Sequence, residues 1–153
     1  MRLVMILAGI GVSVAVLFAL YVRLAPSDVQ AWHVDPRDVA DPTPMGRYLL
    51  RDGEGDAAAP RFAGTPDAVM AKLHEVALGT PRVSVLAGNP DEGFVTYIAR
   101  SRLFGFPDYV SVVAYADGDQ TALAIYARLR FGQSDLGVNQ ARVDGWLSEL
   151  NAA

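Results

Sequence analysis

The chain has two histidines, His33 and His74, and no cysteine. A serine nucleophile such as Ser134 needs a base beside it. His33 lies in a proline-rich stretch, and His74 lies near the polar side of a segment with helical periodicity. Neither position predicts a hydrolytic triad. Thiolate metal sites are excluded by composition, two histidines make a poor zinc set, and the acids fall into no calcium-loop spacing. No phosphate-cradling GxxxxGK[ST] is present, and the pairs Gly9/Gly11 and Gly53/Gly55 lie in an apolar run and in a loop. The expectation is a protein that is not an enzyme and holds no metal or cofactor.

Guanidinium and phenol groups remain. Twelve of the thirteen basic residues are Arg and only Lys72 is Lys. Codon usage in a GC-rich genome gives that bias as readily as selection for forked donors does. In the run 120–131, Leu123, Ile125, Ala127, Leu129 and Phe131 share one parity while Tyr126, Arg128 and Arg130 share the other. One reading is a solvated face with scattered ion pairs. The other is an anion- or partner-binding surface, since Arg and Tyr are enriched where binding energy concentrates. Arg128, Arg130 and Arg142 could also converge on an anionic ligand beside a helix start, where free amides favour anions.

Four strand candidates carry these residues, at about 82–88, 93–102, 109–117 and 120–131, separated by Gly88-Asn89-Pro90, Gly105-Phe106-Pro107 and Asp117-Gly118-Asp119. The last is the strongest hairpin turn, because Gly accepts positive φ. Val110, Val112 and Ala114 oppose Tyr109, Ser111, Val113 and Tyr115; Arg100 and Arg102 share parity with Phe94 and Ile98 and fall beyond the buried stretch. Thr65-Pro66-Asp67 opens a helix with a hydroxyl cap, a first-turn proline and an acid; Val69, Leu73, Val76 and Ala77 form its stripe and Gly79 ends it. A closing helix over about 139–150 carries Val143, Trp146, Leu147 and Leu150 on one side, with Asn139 as its cap. Residues 51–63 read as a loop. The predicted fold is α+β: one N-terminal transmembrane helix, then a roughly four-stranded antiparallel sheet with two helices on one face.

Leu3 to Val22 is a run of twenty residues without a charge. At about 1.5 Å per residue it spans roughly 30 Å, the thickness of the hydrocarbon core. A cleaved signal peptide has a shorter apolar region and small residues before the cut; a cut after Ala25 would put Arg23 at the third position back. The reading is an uncleaved anchor, residues 1–24. Tyr21 and Trp32 suit an interface, and Gly9 with Ser13 has the spacing that lets helices approach closely in lipid. Arg2 and the amino terminus face Arg23 and Arg37 across the span, so charge hardly decides orientation. A signal-anchor favours an inner-membrane, single-pass protein with a periplasmic C-terminal domain.

Residues 25–46, with four prolines and four aspartates, read as an extended tether, laid along either the domain or the membrane surface. Their 22 residues reach at most about 75 Å, which confines the domain at 47–153 to the bilayer surface. A net charge of −4 argues against nucleic acid.

Phe106-Pro107-Asp108, followed by Arg128-x-Arg130-x-Gly132-x-Ser134-Asp135-x-Gly137-x-Asn139-x-x-Arg142, resembles the signature of the domain-of-unknown-function family 1499, with members in bacteria and plant plastids. The resemblance covers roughly residues 45–150 and implies a fold, not an activity. Family members often have serines where this chain has Ala127 and Leu129, which weakens any chemistry by strand hydroxyls. The motif itself reads as a strand-to-helix corner. Gly132 and Gly137 allow conformations closed to other residues, Ser134 and Asp135 bond turn amides, Asn139 caps, and Arg142 reaches back to Asp135. Functionally, the expectation is a non-enzymatic, membrane-anchored accessory protein docking on a larger membrane protein complex. The alternative is a membrane-tethered module for a lipid or other anionic amphipathic ligand.

Overall fold

The computed structural model of the chain describes residues 1–40 and 45–152. Helix α1 (Arg2–Leu24) is the apolar span, with a mean hydropathy of 2.8 over its best window and no part of that window buried by protein. It is long and apolar enough to cross a membrane. Ser13 donates to the Gly9 carbonyl of the same helix at 2.9 Å, and nothing lies within 4 Å of the space above Gly9. A four-residue helix, α2 (Val29–Trp32), follows, capped by the Asp28 carboxylate.

The sheet contains six strands: β1 (Arg47–Leu50), β2 (Arg61–Ala63), β3 (Val83–Asn89), β4 (Phe94–Arg100), β5 (Pro107–Asp117) and β6 (Gln120–Leu129). All pair antiparallel in the order β1-β6-β5-β4-β3, with β2 beside β1 on the same edge of β6. The four long strands lie where alternation placed them, and the β5–β6 hairpin turns at Gly118 with φ 65°. The two additional strands replace part of the expected tether-domain junction and the expected loop. With four and three residues they are too short to display a period, and the free edge of β6 orders them. Gly88 marks a second backbone constraint. It has φ +77°, and a Cβ there would lie 2.0 Å from the Phe94 carbonyl oxygen, so β3 passes its irregular register only with glycine.

Helices α3 (Pro66–Gly79) and α4 (Val138–Ala152) cover one face. Thr65 caps α3 by accepting from the Ala68 amide. Val69, Met70, Leu73 and Ala77 pack with Val143, Trp146 and Leu150 over Val95, Tyr97, Val110, Val112, Leu123 and Ile125. Each fully buried aliphatic side chain there contributes roughly 1.5–3 kcal/mol. Trp146 donates its indole N–H to Thr80 Oγ1 at 2.8 Å, closing the helix pair at its wet end.

The opposite face is covered too. Residues expected as an extended tether are laid across it through Ala40, and residues 41–44 lie outside the described part. Val34 and Val39 pack on Leu49 and Tyr126. The domain therefore has three layers: helices, sheet and N-terminal segment.

Candidate functional site

The antiparallel registers place Tyr109 opposite Arg128 and Ser111 opposite Tyr126, with Thr96 next to Ser111 on β4. These are the phenol and guanidinium residues that alternation assigned to the second face. The structure brings Tyr126 and Arg128 together there, under the chain's own segment. Trp32 stacks on Tyr109 with ring centroids 4.0 Å apart, and His33 stacks on Phe94 at 3.8 Å. His33 Nδ1 also bonds Thr96 Oγ1 at 2.8 Å, and Ser27 shares a hydrogen bond with the Tyr109 hydroxyl.

Arg128 is the centre of this arrangement and is only 4% exposed. It donates to the Trp32 carbonyl at 2.6 Å, to the Tyr126 carbonyl at 3.3 Å and to Ser111 Oγ at 3.4 Å. Its guanidinium carbon lies 4.4 Å from the Tyr126 ring centroid and 5.3 Å from that of Trp32. Among the described residues these oxygens and π faces, rather than a carboxylate, compensate the buried cation. Burial pulls the guanidinium down to about 10, against the pull of the Tyr126 and Tyr109 phenols, so it stays charged at neutral pH. Arg130, past the end of β6, instead donates to the Pro26 carbonyl at 3.0 Å and to the Tyr109 hydroxyl at 3.1 Å. Both arginines hold the N-terminal segment down.

Between the end of β6 and the start of α4 lies the strand-to-helix corner. Gly132 and Gly137 have φ of 100° and 80°, as their types suggested. Ser134 accepts from the Leu136 amide and Asp135 accepts from the Gly137 and Asn139 amides. The cap is therefore Asp135, not Asn139, because its carboxylate reaches two amides at once. Asn139 is buried inside the first turn, where it donates to the Gly46 carbonyl and accepts from Arg142. Nor does Arg142 pair with Asp135: its Nη2 meets Asp108 Oδ2 at 3.3 Å. The Asp135 oxygens are taken by backbone, and β5 delivers a second carboxylate. Arg128, Arg130 and Arg142 thus take three separate partners rather than one ligand. The adjoining hollow, of 150 Å³, is lined by Asp108 and Asp135 with Phe106, Leu129 and Phe131. Two carboxylates make it unsuited to an anion.

The same corner rests against the apolar helix α1. Phe106 lies 6.2 Å from Phe18, and Phe131 lies 6.2 Å from Tyr21, between ring centroids. Phe106 further contacts Phe104 and Phe131. Arg23 Nε donates to the Phe104 carbonyl at 3.5 Å, and Val22 is fully buried. Leu103 is 79% exposed and Phe104 54% exposed in this loop. Sequence reasoning passed over the loop as a breaker between strands. Its signal was the apolar content of Leu103-Phe104-Gly105-Phe106, unusual for a turn that faces water.

Residues 28–150 match the family described as a protein of unknown function, DUF1499. The match begins at Asp28, so it takes in the segment that covers the second face. No curated protein matches the chain.

Proposed function

The chain belongs to the DUF1499 family, and from that premise we propose that it is a non-enzymatic membrane-anchored module, working seated on the bilayer surface and binding a lipid or other anionic amphipath there. The observation that carries this reading is the contact between the end of α1 and the 101–106 loop. Phe18 lies four residues before Val22, so roughly 6 Å inside the apolar span. Phe106 touches Phe18, so its loop sits at the boundary between acyl chains and headgroups. Leu103 and Phe104, exposed to solvent by the protein itself, would then be covered by lipid. The face first considered for an anion or a partner is filled by residues 27–39, so the lipid reading rests on the 101–106 loop and not on that face.

The absence of cysteine makes a site-specific test simple. Phe104→Cys and Asp119→Cys, each carrying an environment-sensitive fluorophore, are reconstituted in phosphatidylcholine nanodiscs containing acyl-chain quencher lipids. Asp119 lies beyond the far end of the eleven-residue β5, roughly 35 Å from the loop. Strong quenching at position 104 and almost none at 119 is the expected result. Equal quenching at the two positions would remove the seat. The orientation proposed with it, N-terminus inside and domain in the periplasm of a cell inner membrane, predicts an active C-terminal alkaline phosphatase fusion; an inactive fusion would reverse it.

A further inference from the structure

We propose that the pocket where the membrane helix meets the domain, lined by Arg23, Arg82, Arg100 and Arg102, binds the phosphate of an anionic membrane lipid. The inference rests on the domain being seated at the bilayer, and it names the ligand class and the residues that would hold it.

Four arginines from three separate parts of the chain line one cavity of 320 Å³, together with Ser101 and Gly105. They come from the end of α1, the residue before β3, the end of β4 and the turn after it. The whole chain has a net charge of −4, so this concentration of cations is a local feature and not the by-product of a basic protein. Among the described residues the ion pairs belong to Arg37, Arg47, Arg61 and Arg142. None of the four pocket arginines is in one. Like charges gathered in one cavity repel, and an anion between them reverses the sign of that energy.

Their orientation is set by backbone. Arg82 Nε donates to the Arg100 carbonyl at 3.2 Å, Arg100 Nη1 to the Gly105 carbonyl at 3.0 Å, and Arg23 Nε to the Phe104 carbonyl at 3.5 Å. A guanidinium has five N–H donors, so each keeps several for a ligand. Arg82 adds a second kind of evidence. Its φ of 65° is one of two positive values outside glycine among the described residues. That conformation costs about 1–2 kcal/mol for a residue with a Cβ, a strain typical of functional positions. Gly105 (φ +72°) contributes by lacking a side chain: a Cβ there would lie 3.2 Å from Arg23 Nε and 3.3 Å from its Cγ.

Depth and neighbours select a lipid over free phosphate. Arg23 directly follows the apolar span, so the pocket stands at the level of lipid phosphates. The pocket's own loop carries exposed Leu103 and Phe104 on the acyl side. A phosphate with attached acyl chains satisfies both parts of the surface at once. Inorganic phosphate satisfies only one.

The test uses the full chain in phosphatidylcholine nanodiscs doped with a trace of spin-labelled phosphatidylglycerol or spin-labelled phosphatidylcholine. Relative association with the protein is read from the motionally restricted fraction. Wild type should prefer phosphatidylglycerol about tenfold, with the preference shrinking in high salt. R82Q/R102Q should reduce it to below twofold, while K72Q, on the exposed side of α3, should leave it unchanged. If R82Q/R102Q melts early, R102Q alone serves, because Arg102 makes no hydrogen bond or ion pair among the described residues; a drop of about threefold is expected from it. Absence of selectivity in wild type, or selectivity untouched by these variants, would overturn the proposal. So would displacement of the lipid by equimolar inorganic phosphate, which would assign the pocket to a soluble anion. A label at position 104 that is quenched while selectivity is absent would leave the seated domain standing and remove only the pocket.

Discussion

Arg128→Ala is expected to release residues 25–40 from the sheet and to lower stability by roughly 3 kcal/mol, a fall in Tm of about 10 °C. The substitution strips the Trp32 carbonyl of its shortest partner and removes a cation held against two aromatic rings. Hydrogen bonds to a charged donor and desolvated cation–π contacts are each among the stronger weak interactions. Arg128→Lys should recover less than half of the loss, because an ammonium cannot stack flat between Tyr126 and Trp32 while reaching the carbonyl. Thermal melting and limited proteolysis across 25–40 give the readout. A variant as stable and protease-resistant as wild type would show that the segment is held elsewhere.

Acid should loosen the same segment in the unaltered protein. Burial holds the His33 imidazole below its ordinary 6.5, with Glu92 offsetting part of the effect. The released state therefore binds the proton more readily than the docked one, and docking strengthens as pH rises through this window. Proteolysis of 25–40 should accelerate as pH falls below about 6.5.

The second large effect concerns Asp108 and Arg142, whose side chains are each 13% exposed. Arg142→Ala should cost roughly 3 kcal/mol at neutral pH, because it strands a buried carboxylate next to Asp135. Asp108→Ala should cost roughly 2 kcal/mol, since the freed guanidinium keeps its bond to Asn139. The double variant should fall short of their sum by about 1 kcal/mol or more. Burial already raises the Asp108 carboxyl despite Arg142, with Asp135 adding to the rise. A carboxyl raised on folding favours the folded state while protonated, and that contribution is lost as pH rises through its folded value. The penalty of Arg142→Ala should accordingly shrink on moving from neutral pH toward pH 4. Denaturant melts of the four proteins at both pH values form the cycle; additivity at neutral pH would mean that the two side chains are merely adjacent.

Both predictions concern residues that the sequence marked as notable but placed in different company. Local order carried the long apolar N-terminal helix, the two packed helices, the four long strands and the Gly118 turn. Each is at least seven residues long or rests on one residue's φ preference, so neighbours a few positions apart declare it. Alternation also divided β6 correctly, with Leu123, Ile125 and Ala127 on the helix side and Tyr126 and Arg128 on the other.

What covers that second face was a tertiary decision. Proline and aspartate in 25–46 forbid a long helix but say nothing of where an extended segment lies. Trp32 and His33 find Tyr109 and Phe94 only once the β4–β5 register has put those rings on one face of the sheet. The short β1 and β2 exist because β6 offers an edge. Arg142 chose Asp108 over the nearer-in-sequence Asp135, whose oxygens the turn amides had taken. The arginine pocket is the extreme case, since Arg23 lies far along the chain from Arg82 and Arg100 and meets them only through the fold. Periodicity is a property of neighbours along the chain and so was readable; a charge's partner is a property of neighbours in space.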